Sequence, residues 1–200
     1  MRPDDLGALY EIALATGDNG QDASGQHQDG RMVGHIYAAP YATLEPGSAF
    51  VAEDRQGVAG YIVGTHDTDA FEARMEAEWW PPLRAQYALP QGDYRGWSAD
   101  QLRAYQIHRP QPPPKRVTQR YPSHLHINLL PRLQGQGVGK RMIDTWLGRM
   151  RELGSPGAHL GVGAKNTRAI RFYRAYGFAE FVFPTANPEA PALYFVTELE

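Results

Sequence analysis

The sequence contains no cysteine among its 200 residues. Disulfide bonds, thiolate metal sites and a cysteine nucleophile are therefore excluded. Neither positive nor negative charge predominates, because 20 lysines and arginines balance 22 aspartates and glutamates. No apolar run is long enough to span a membrane, and Asp4 and Asp5 stand where a secretion signal would carry basic residues. We therefore expect a cytoplasmic protein with neither a nucleic-acid nor a membrane partner.

The residues that are present have the composition of a globular protein, with 42% hydrophobic and 21% charged residues. A chain of this length buries enough surface for one stable core, so we expect residues 1–200 to form a single domain. The spacing of apolar residues predicts an α/β (α+β) fold with a mixed central sheet. The predicted elements are a helix after Pro3, strands at 48–54, 57–67, 123–131, 157–163, 178–183 and 192–199, and helices at 136–153 and 167–176.

Other segments are less regular. Residues 16–30 have no periodicity and predict a long loop. Pro40 is expected to end a short helix, and Pro81-Pro82 to interrupt the helical pattern of residues 69–88, where a second helix could start. The proline-rich run 109–116 is expected to be extended. Together, residues at about 69–120 are interpreted as a helical insertion between two strands of one sheet.

A glycine-rich segment, "LLPRLQGQGVGKRMIDTWL", joins a predicted strand to a predicted helix. A Walker A loop is excluded because Arg141 follows Lys140, where that motif needs Ser or Thr. The dinucleotide fingerprint also fails, because Lys140 occupies the position of its last glycine. The pattern that fits is Gln134-x-x-Gly137-x-Gly139. Its backbone N–H groups and positive helix end suit a pyrophosphate, and a plain glycine-rich turn is the alternative.

A second motif, "NTRAIRFYRAYGF" (166–178), follows about thirty residues later. With both motifs, the sequence resembles the GCN5-related N-acetyltransferase (GNAT) superfamily. Residues 2–24, 34–54 and 121–131 further resemble the acetyltransferase-like domain at the C-terminus of O-GlcNAcase and its stand-alone bacterial homologues. The resemblance implies a GNAT fold, whose central strands splay apart and are flanked by helices. It also implies a free-standing bacterial protein.

The resemblance implies that acetyl-CoA is the co-substrate. In such proteins the pantetheine arm replaces a strand, so the backbone of Asn128, Leu129 and Leu130 is expected to pair with it. Asn166 is expected to bond the same arm, or to be a simple helix cap. The residues expected to hold the pyrophosphate are Gln134, Gly135, Gln136, Gly137, Val138, Gly139 and Lys140. Arg168, Arg171 and Arg174 form a solvated face, from which the first two could reach a CoA phosphate.

The resemblance places Tyr173 where many family members have a tyrosine that protonates the departing thiolate. A core aromatic residue is the alternative at that position. Some members have a glutamate base where this sequence has Ser123, so His124 and His126, on the polar face of the same strand, are the candidate bases. Their spacing also suits a metal, but no cysteine or nearby carboxylate completes a metal site. The residues that could line the acceptor side are Asp22, Tyr37 and Tyr41.

The sequence therefore predicts an N-acetyltransferase that transfers acetyl from acetyl-CoA to a primary amine by direct attack in a ternary complex. The alternative is a catalytically inactive acetyl-CoA-binding pseudo-acetyltransferase, acting as a sensor or interaction module. A glycan- or peptide-binding module would leave the glycine-rich loop unexplained. The acceptor amine stays open. The tryptophan-rich stretch from Trp79 to Trp97 could cover the acceptor groove or form a homodimer contact.

Overall fold

The computed structural model describes residues 1–183 and 192–199 of the chain. Residues 184–191 and 200, which belong to the predicted single domain, lie outside the described residues. The helices before the third strand are α1 (Leu6–Ala15), α2 (Met32–Tyr37), α3 (Ala39–Leu44), α4 (Thr68–Arg74), α5 (Trp80–Gln86), α6 (Ala99–His108) and α7 (Lys115–Thr118). The later helices are α8 (Val138–Glu152) and α9 (Thr167–Tyr176).

The described strands form one mixed sheet, as predicted. They are β1 (Phe50–Asp54), β2 (Gly57–Thr65), β3 (Ser123–Leu129), β4 (Gly157–Gly163), β5 (Ala179–Glu180) and β6 (Ala192–Glu198), in the order β1-β2-β3-β4-β6-β5. Only β3 and β4 pair in parallel, while the other neighbouring strands are antiparallel. The order of helices and strands along the chain agrees with the order that the apolar spacing predicts.

The two central strands separate after a short stretch of pairing. β3 and β4 are in register only at Ser123 with Ala158 and at His124 with His159. The pairing of β3 with β2, by contrast, continues from His124 as far as Leu129. The carboxyl-terminal half of β3 therefore has a free edge, which is the splay implied by the family resemblance.

Each face of the sheet carries its own hydrophobic core. On one face α8 and α9 pack on the sheet, with Trp146, Ile143 and Leu125 almost fully buried. The predicted apolar stripe of α8 forms this core. On the opposite face α1 to α6 cover the sheet, and Tyr61 and Phe71 are among its buried residues. Since side chains alternate along β3, the two faces present different chemistry to the splay.

The prolines begin helices, so the expectation that Pro40 ends a helix is wrong, while a helix does start at Pro81-Pro82, as the sequence allowed. Pro40 lies in the first turn of α3, and Pro81-Pro82 lie in the first turn of α5. Proline is favoured there because an N–H in the first turn has no partner within the helix. The backbone stays helical from Thr68 to Gln86 by way of a π-helical turn at Met75–Trp79. The extended proline-rich run also ends earlier than predicted, because α7 begins at Lys115.

The loop at residues 16–30 is ordered by contacts with the insertion. The Asp100 carboxylate on α6 binds His27 Nδ1 at 2.6 Å and accepts the backbone N–H of Gln28 at 2.9 Å. Tyr87 donates to the Asp29 carboxylate at 2.7 Å. These bonds hold the loop against the insertion, which lies between β2 and β3 as predicted.

Candidate active site

A cavity of about 440 Å³ opens where β3 and β4 part. Its lining contains Thr16, Gly20, Ile127, Asn128, Leu129, Gln134, Gly135, Gly137, Gly139, Lys140, Asn166, Arg168, Ala169, Phe172 and Tyr173. The splay thus brings together most of the predicted cofactor residues with Tyr173. Leu130, Gln136 and Val138, which were also predicted, are not in the lining.

The glycines at the mouth of the cavity serve two purposes. Gly135 and Gly137 both have φ +72°, a left-handed conformation that favours glycine, and Gly137 is the N-cap of α8. Gly139 is needed for close packing, because a Cβ there would lie 3.2 Å from Phe172 Cζ and 3.4 Å from a Leu129 methyl carbon. The turn therefore brings the positive end of α8 to the cavity.

Gln134 fastens this turn to its neighbours. Its Nε2 donates to the Leu129 carbonyl at 2.7 Å, and its Oε1 accepts a hydrogen bond from Arg168. Arg168, on α9, is thereby held in the cavity lining. The Lys140 ammonium is engaged elsewhere, in an ion pair of 2.8 Å with Asp144. Lys140 lines the cavity, and its ammonium lies at this exposed pair.

The backbone of β3 divides its hydrogen bonds between β2 and the gap. Leu130 N–H donates to the Ala59 carbonyl at 2.8 Å, so Leu130 faces β2. Because N–H and C=O groups alternate sides along a strand, those of Leu129 and Ile127 point into the gap. The bond from Gln134 to the Leu129 carbonyl agrees with this direction. Of the three residues expected to pair with pantetheine, Leu129 has its backbone groups on the side of the gap, whereas those of Asn128 and Leu130 face β2. The pairing itself stays a prediction.

Asn166 is an N-cap, as one of its two predicted roles requires. Its Oδ1 accepts the Ala169 N–H at 3.1 Å at the start of α9. The residue also lines the cavity, so its other predicted role, bonding to pantetheine, stays a prediction.

Tyr173 lies on α9 at the inner end of the cavity. Its side chain is 8% exposed, and its ring packs against Phe178 and Phe195. Burial raises the pKa of its phenol, so the phenol is protonated at neutral pH. The hydroxyl has no hydrogen-bond partner within residues 1–183 and 192–199, which leaves its proton available to a bound molecule.

The opposite face of β3 carries a chain of hydrogen-bonded side chains, which we call the histidine chain: Thr68, His124, Tyr41 and His126. His124 lies in the middle, with Nδ1 2.8 Å from Thr68 Oγ1 and Nε2 2.8 Å from the Tyr41 hydroxyl. The same hydroxyl lies 3.1 Å from His126 Nε2. The chain connects α4, α3 and β3.

The donors in the histidine chain follow from its first member. The Thr68 hydroxyl donates to the Pro122 carbonyl at 2.5 Å, so its oxygen must accept from His124 Nδ1–H. Neutral His124 then accepts the Tyr41 proton at Nε2, and the Tyr41 oxygen accepts from His126 Nε2–H. This order leaves the lone pair of His126 on Nδ1. That atom bonds no described residue, and it is not among the described atoms that are sealed from solvent without a partner.

The histidine chain is electrically neutral at pH 7. Burial, followed by the charges of His159 and His126, lowers the pKa of His124 well below its usual range. Burial and then His159 lower the pKa of His126 to about 4. Burial and then Glu72 raise the pKa of Tyr41. His126 therefore presents an unprotonated nitrogen over the whole neutral range.

Ser123 and Asp22 are occupied by structural bonds. The buried Ser123 hydroxyl donates to the His66 carbonyl at 2.9 Å and contacts Ser155 Oγ at 2.7 Å. Asp22 accepts two bonds from Ser24 within its loop. Tyr37, in contrast, lies beside His126 with ring centres 5.5 Å apart. The structure thus brings Tyr37 and Tyr41 to the histidines and leaves Asp22 outside the cavity lining.

Sequence analysis missed two polar residues near the histidine chain. Thr68 fixes which groups donate hydrogen bonds along the histidine chain. Glu72 is a half-buried carboxylate whose charge raises the pKa of Tyr41. Burial and then the charges of Asp69 and Glu76 raise the pKa of Glu72. Both residues lie on α4, more than fifty positions before β3, and no local motif marks them.

Within residues 1–183 and 192–199, no group of three or more histidine, aspartate or glutamate residues could hold a metal ion. No helix in the same ranges is long and apolar enough to cross a membrane.

Comparison with known proteins identifies relatives of the whole chain. The crystal structure of SsHAT is 36% identical and superposes with a TM-score of 0.88, covering 100% of this chain and 96% of that chain. Protein O-GlcNAcase from Rattus norvegicus is 25% identical over 178 residues, which is 89% of this chain and 19% of that protein. The chain thus spans about a fifth of the length of the curated relatives it matches.

More distant structures share the fold. YncA from Salmonella typhimurium, solved with its cofactor acetyl-CoA, is 14% identical, with a TM-score of 0.55 and coverage of 100% of this chain and 91% of that chain. The model of the acetyltransferase (GNAT) family matches residues 100–178, which contain both sequence motifs and the splayed strand. Together with the likeness to SsHAT along its full length, this match shows that the chain belongs to the acetyltransferase (GNAT) family, whose members are acyltransferases.

Proposed function

We propose that this protein binds acetyl-CoA and transfers its acetyl group to a primary amine by direct attack in a ternary complex. The observation that carries the proposal is the cavity at the splay, which runs from the glycine turn at the start of α8 to Tyr173. A pyrophosphate binder at one end and a proton donor at the other suit a thioester co-substrate. The likeness in fold to YncA, solved with acetyl-CoA, supports the same ligand.

The lining residues fit the parts of acetyl-CoA. The N–H groups of the turn from Gln134 to Lys140 and the positive end of α8 would hold the pyrophosphate, with Arg168 adding a cation. The backbone groups of Ile127 and Leu129 would pair with the amides of pantetheine, as a neighbouring strand would. Asn166 would complete the binding of that arm from the start of α9.

Acid and base would act from opposite faces of β3. His126 Nδ1 would accept the proton of the attacking amine as the new C–N bond forms. The Leu129 N–H would bind the thioester oxygen as negative charge develops there, a role worth about 10²–10³ in rate for one donor. As the C–S bond breaks, Tyr173 would give its proton to the leaving sulfur. The splay lets the two side chains approach one reaction centre through the sheet.

A catalytically inactive acetyl-CoA-binding module is the second candidate. Ser123 favours it, because this residue stands at the glutamate position of some family members and its hydroxyl is committed to His66 and Ser155. The neutral histidine chain favours the enzyme, because it supplies an unprotonated nitrogen beside the splay. Either candidate requires that acetyl-CoA binds.

Calorimetric titration with acetyl-CoA tests the proposal. The wild type should bind, and Gly137→Trp should not, because an indole at the N-cap of α8 fills the phosphate turn. Gly154→Trp is the matched control, since Gly154 has a similar φ of +77° but lies in open space at the other end of α8. Both variants carry a comparable backbone strain of roughly 1–2 kcal/mol. Absence of binding by folded wild type would refute both candidates.

An amine screen with acetyl-CoA then separates the two candidates. The enzyme should acetylate at least one amine and release CoA, and Tyr173→Phe should reduce this turnover while leaving acetyl-CoA affinity intact. Binding without turnover across protein lysines, polyamines, amino sugars and amino acids would support the inactive module.

A further inference from the structure

Arg103 on α6 differs from the other half-buried basic residues of the described chain. Those others, Arg74, Arg84, Arg132 and Arg149, each pair with a carboxylate. Arg103 is half-buried as well, yet within residues 1–183 and 192–199 it has no carboxylate partner. A partly desolvated cation without a counter-ion is costly in a protein, and a bound anion would relieve that cost.

The guanidinium is held in place without being neutralised. Nη1 donates to Gln106 Oε1 at 2.8 Å and to the Tyr37 hydroxyl at 3.3 Å. Its central carbon lies 5.4 Å from the centre of the Tyr37 ring. Nε is sealed from solvent with no partner among the described residues, and Nη2 makes no hydrogen bond to any of them. Nη2 of Arg103 is therefore left over for a ligand.

Tyr37 joins this cation to the histidine chain. Its ring contacts the guanidinium on one side and lies 5.5 Å from the His126 ring on the other. Both Arg103 and His126 are half-buried rather than sealed, so a molecule in solution can reach both. The cation and the proposed base are thus separated by about one aromatic ring, which a small molecule can span.

We propose that Arg103 binds a carboxylate on the acceptor, so that the acceptor class is an amine that carries a carboxylate a few bonds from its nitrogen. This inference rests on the proposed function, because it assigns the substrate of the same site. The free Nη2 of Arg103 can donate charge-assisted N–H···O bonds to a carboxylate, which also orients the molecule. The carboxylate at Arg103 would point the amine past Tyr37 towards His126. A polyamine would meet an uncompensated positive charge instead.

The test compares amino acids with their own carboxamides, which differ only in the negative charge. Wild-type protein saturated with CoA is titrated calorimetrically with glycine, 4-aminobutyrate and lysine, and with the three matching amides. We expect at least one acid to bind about tenfold more tightly than its amide. Arg103→Gln should remove that preference, while Arg109→Gln, which deletes an exposed arginine at the end of α6, should keep it.

Several outcomes are decisive. Equal affinity for every acid and its amide, or a preference that survives in Arg103→Gln, would overturn the inference. Tighter binding of O-phosphoethanolamine than of all the acids would also overturn the carboxylate assignment, in favour of a phosphate. Because this titration needs no turnover, its failure is distinct from failure of the proposed function, which the acetyl-CoA titration detects by itself.

Discussion

The two sides of β3 are built in different ways. On the side of the gap, all lining residues of the cavity except Thr16 and Gly20 come from two continuous segments, 127–140 and 166–173. On the other face, the histidine chain joins side chains from α3, α4 and β3, and Arg103 comes from α6. The first side is local in sequence, and the second exists only after folding.

This difference determines how much of each side can be predicted from the sequence. A site made of backbone N–H groups needs particular φ angles and close approaches, so it leaves glycines at fixed spacing. A site made of side chains from distant segments leaves no fixed spacing of residues in the sequence. The residues of the proposed acetyl-CoA site can therefore be recognised in the sequence, whereas those of the proposed acceptor site cannot. Four substitutions and one change of pH test this difference between the two sides of β3. The largest effect is expected from a substitution in the histidine chain.

His126→Gln should cause the largest loss of activity. The glutamine amide can still donate to Tyr41 from near the Nε2 position, but it offers no titratable base where Nδ1 was. We expect kcat to fall about 10²–10⁴-fold, the usual contribution of a general base, with acetyl-CoA affinity unchanged. Steady-state kinetics with an acceptor from the amine screen measures it.

Glu72→Gln is the companion variant for the same assay. Glu72 is a second candidate base near Tyr41, because it is a half-buried carboxylate whose pKa is raised by burial. Its loss should alter kcat by less than about threefold if His126 is the base. If Glu72→Gln instead caused the larger loss of kcat, Glu72 would be the base.

Tyr173→Phe should cost about 10²-fold in kcat, because the leaving thiolate would then depart without its proton donor. The ring contacts with Phe178 and Phe195 remain, so the midpoint of thermal unfolding should hardly change. A loss that vanishes with an activated thioester of a more acidic thiol would confirm the role. An equal loss with both thioesters would show that Tyr173 only shapes the cavity.

The sequence predicted what depends on local physics. Gly137 at the start of α8, Asn166 as a cap and the apolar stripe through Trp146 all follow from short-range patterns, and the structure agrees with them. The ion pair of Lys140 with its i+4 neighbour Asp144 is a contact that the loop motif does not show. The side to which the Leu130 backbone points could not be read from the motif either, since pairing with β2 decides which N–H groups are free.

The histidine chain depends on tertiary contacts that local sequence patterns predict only in part. The alternation of residues 123–129 placed His124 and His126 on one face, which the structure confirms. Which histidine can act as a base depends on Thr68, because its bond to the Pro122 carbonyl fixes every later donor. That information is tertiary, and it could not be read before α4 was placed against β3.

Tyr41→Phe should cost about tenfold in kcat/KM. Without the hydroxyl, His126 Nε2–H loses its acceptor and the imidazole is free to adopt the other tautomer, so its lone pair no longer stays on Nδ1. The matched control is Tyr10→Phe, which removes another buried tyrosine–histidine bond, of 2.9 Å to His35. Both changes should destabilise the fold by roughly 1–3 kcal/mol, but only Tyr41→Phe should slow the reaction. Equal activities of the two variants would show that the bond to His126 has no catalytic effect.

The smallest effect, on stability, should appear on mild acidification. Burial lowers the pKa values of His124, His126 and His159 in the folded protein, that of His126 from 6.5 to about 4. Between these two pH values the unfolded chain binds more protons than the folded one, so the free energy of unfolding should be highest above pH 6.5 and fall as the pH is lowered towards 4. His126 alone accounts for at most about 3 kcal/mol of this loss.

Urea unfolding of the wild type and His126→Gln at pH 7.5 and 5 measures this loss of stability. The variant should lose less stability between these pH values, because it has one proton fewer to gain on unfolding. An identical loss in both proteins would mean that His126 titrates normally in the fold, and the neutral histidine chain would then be wrong.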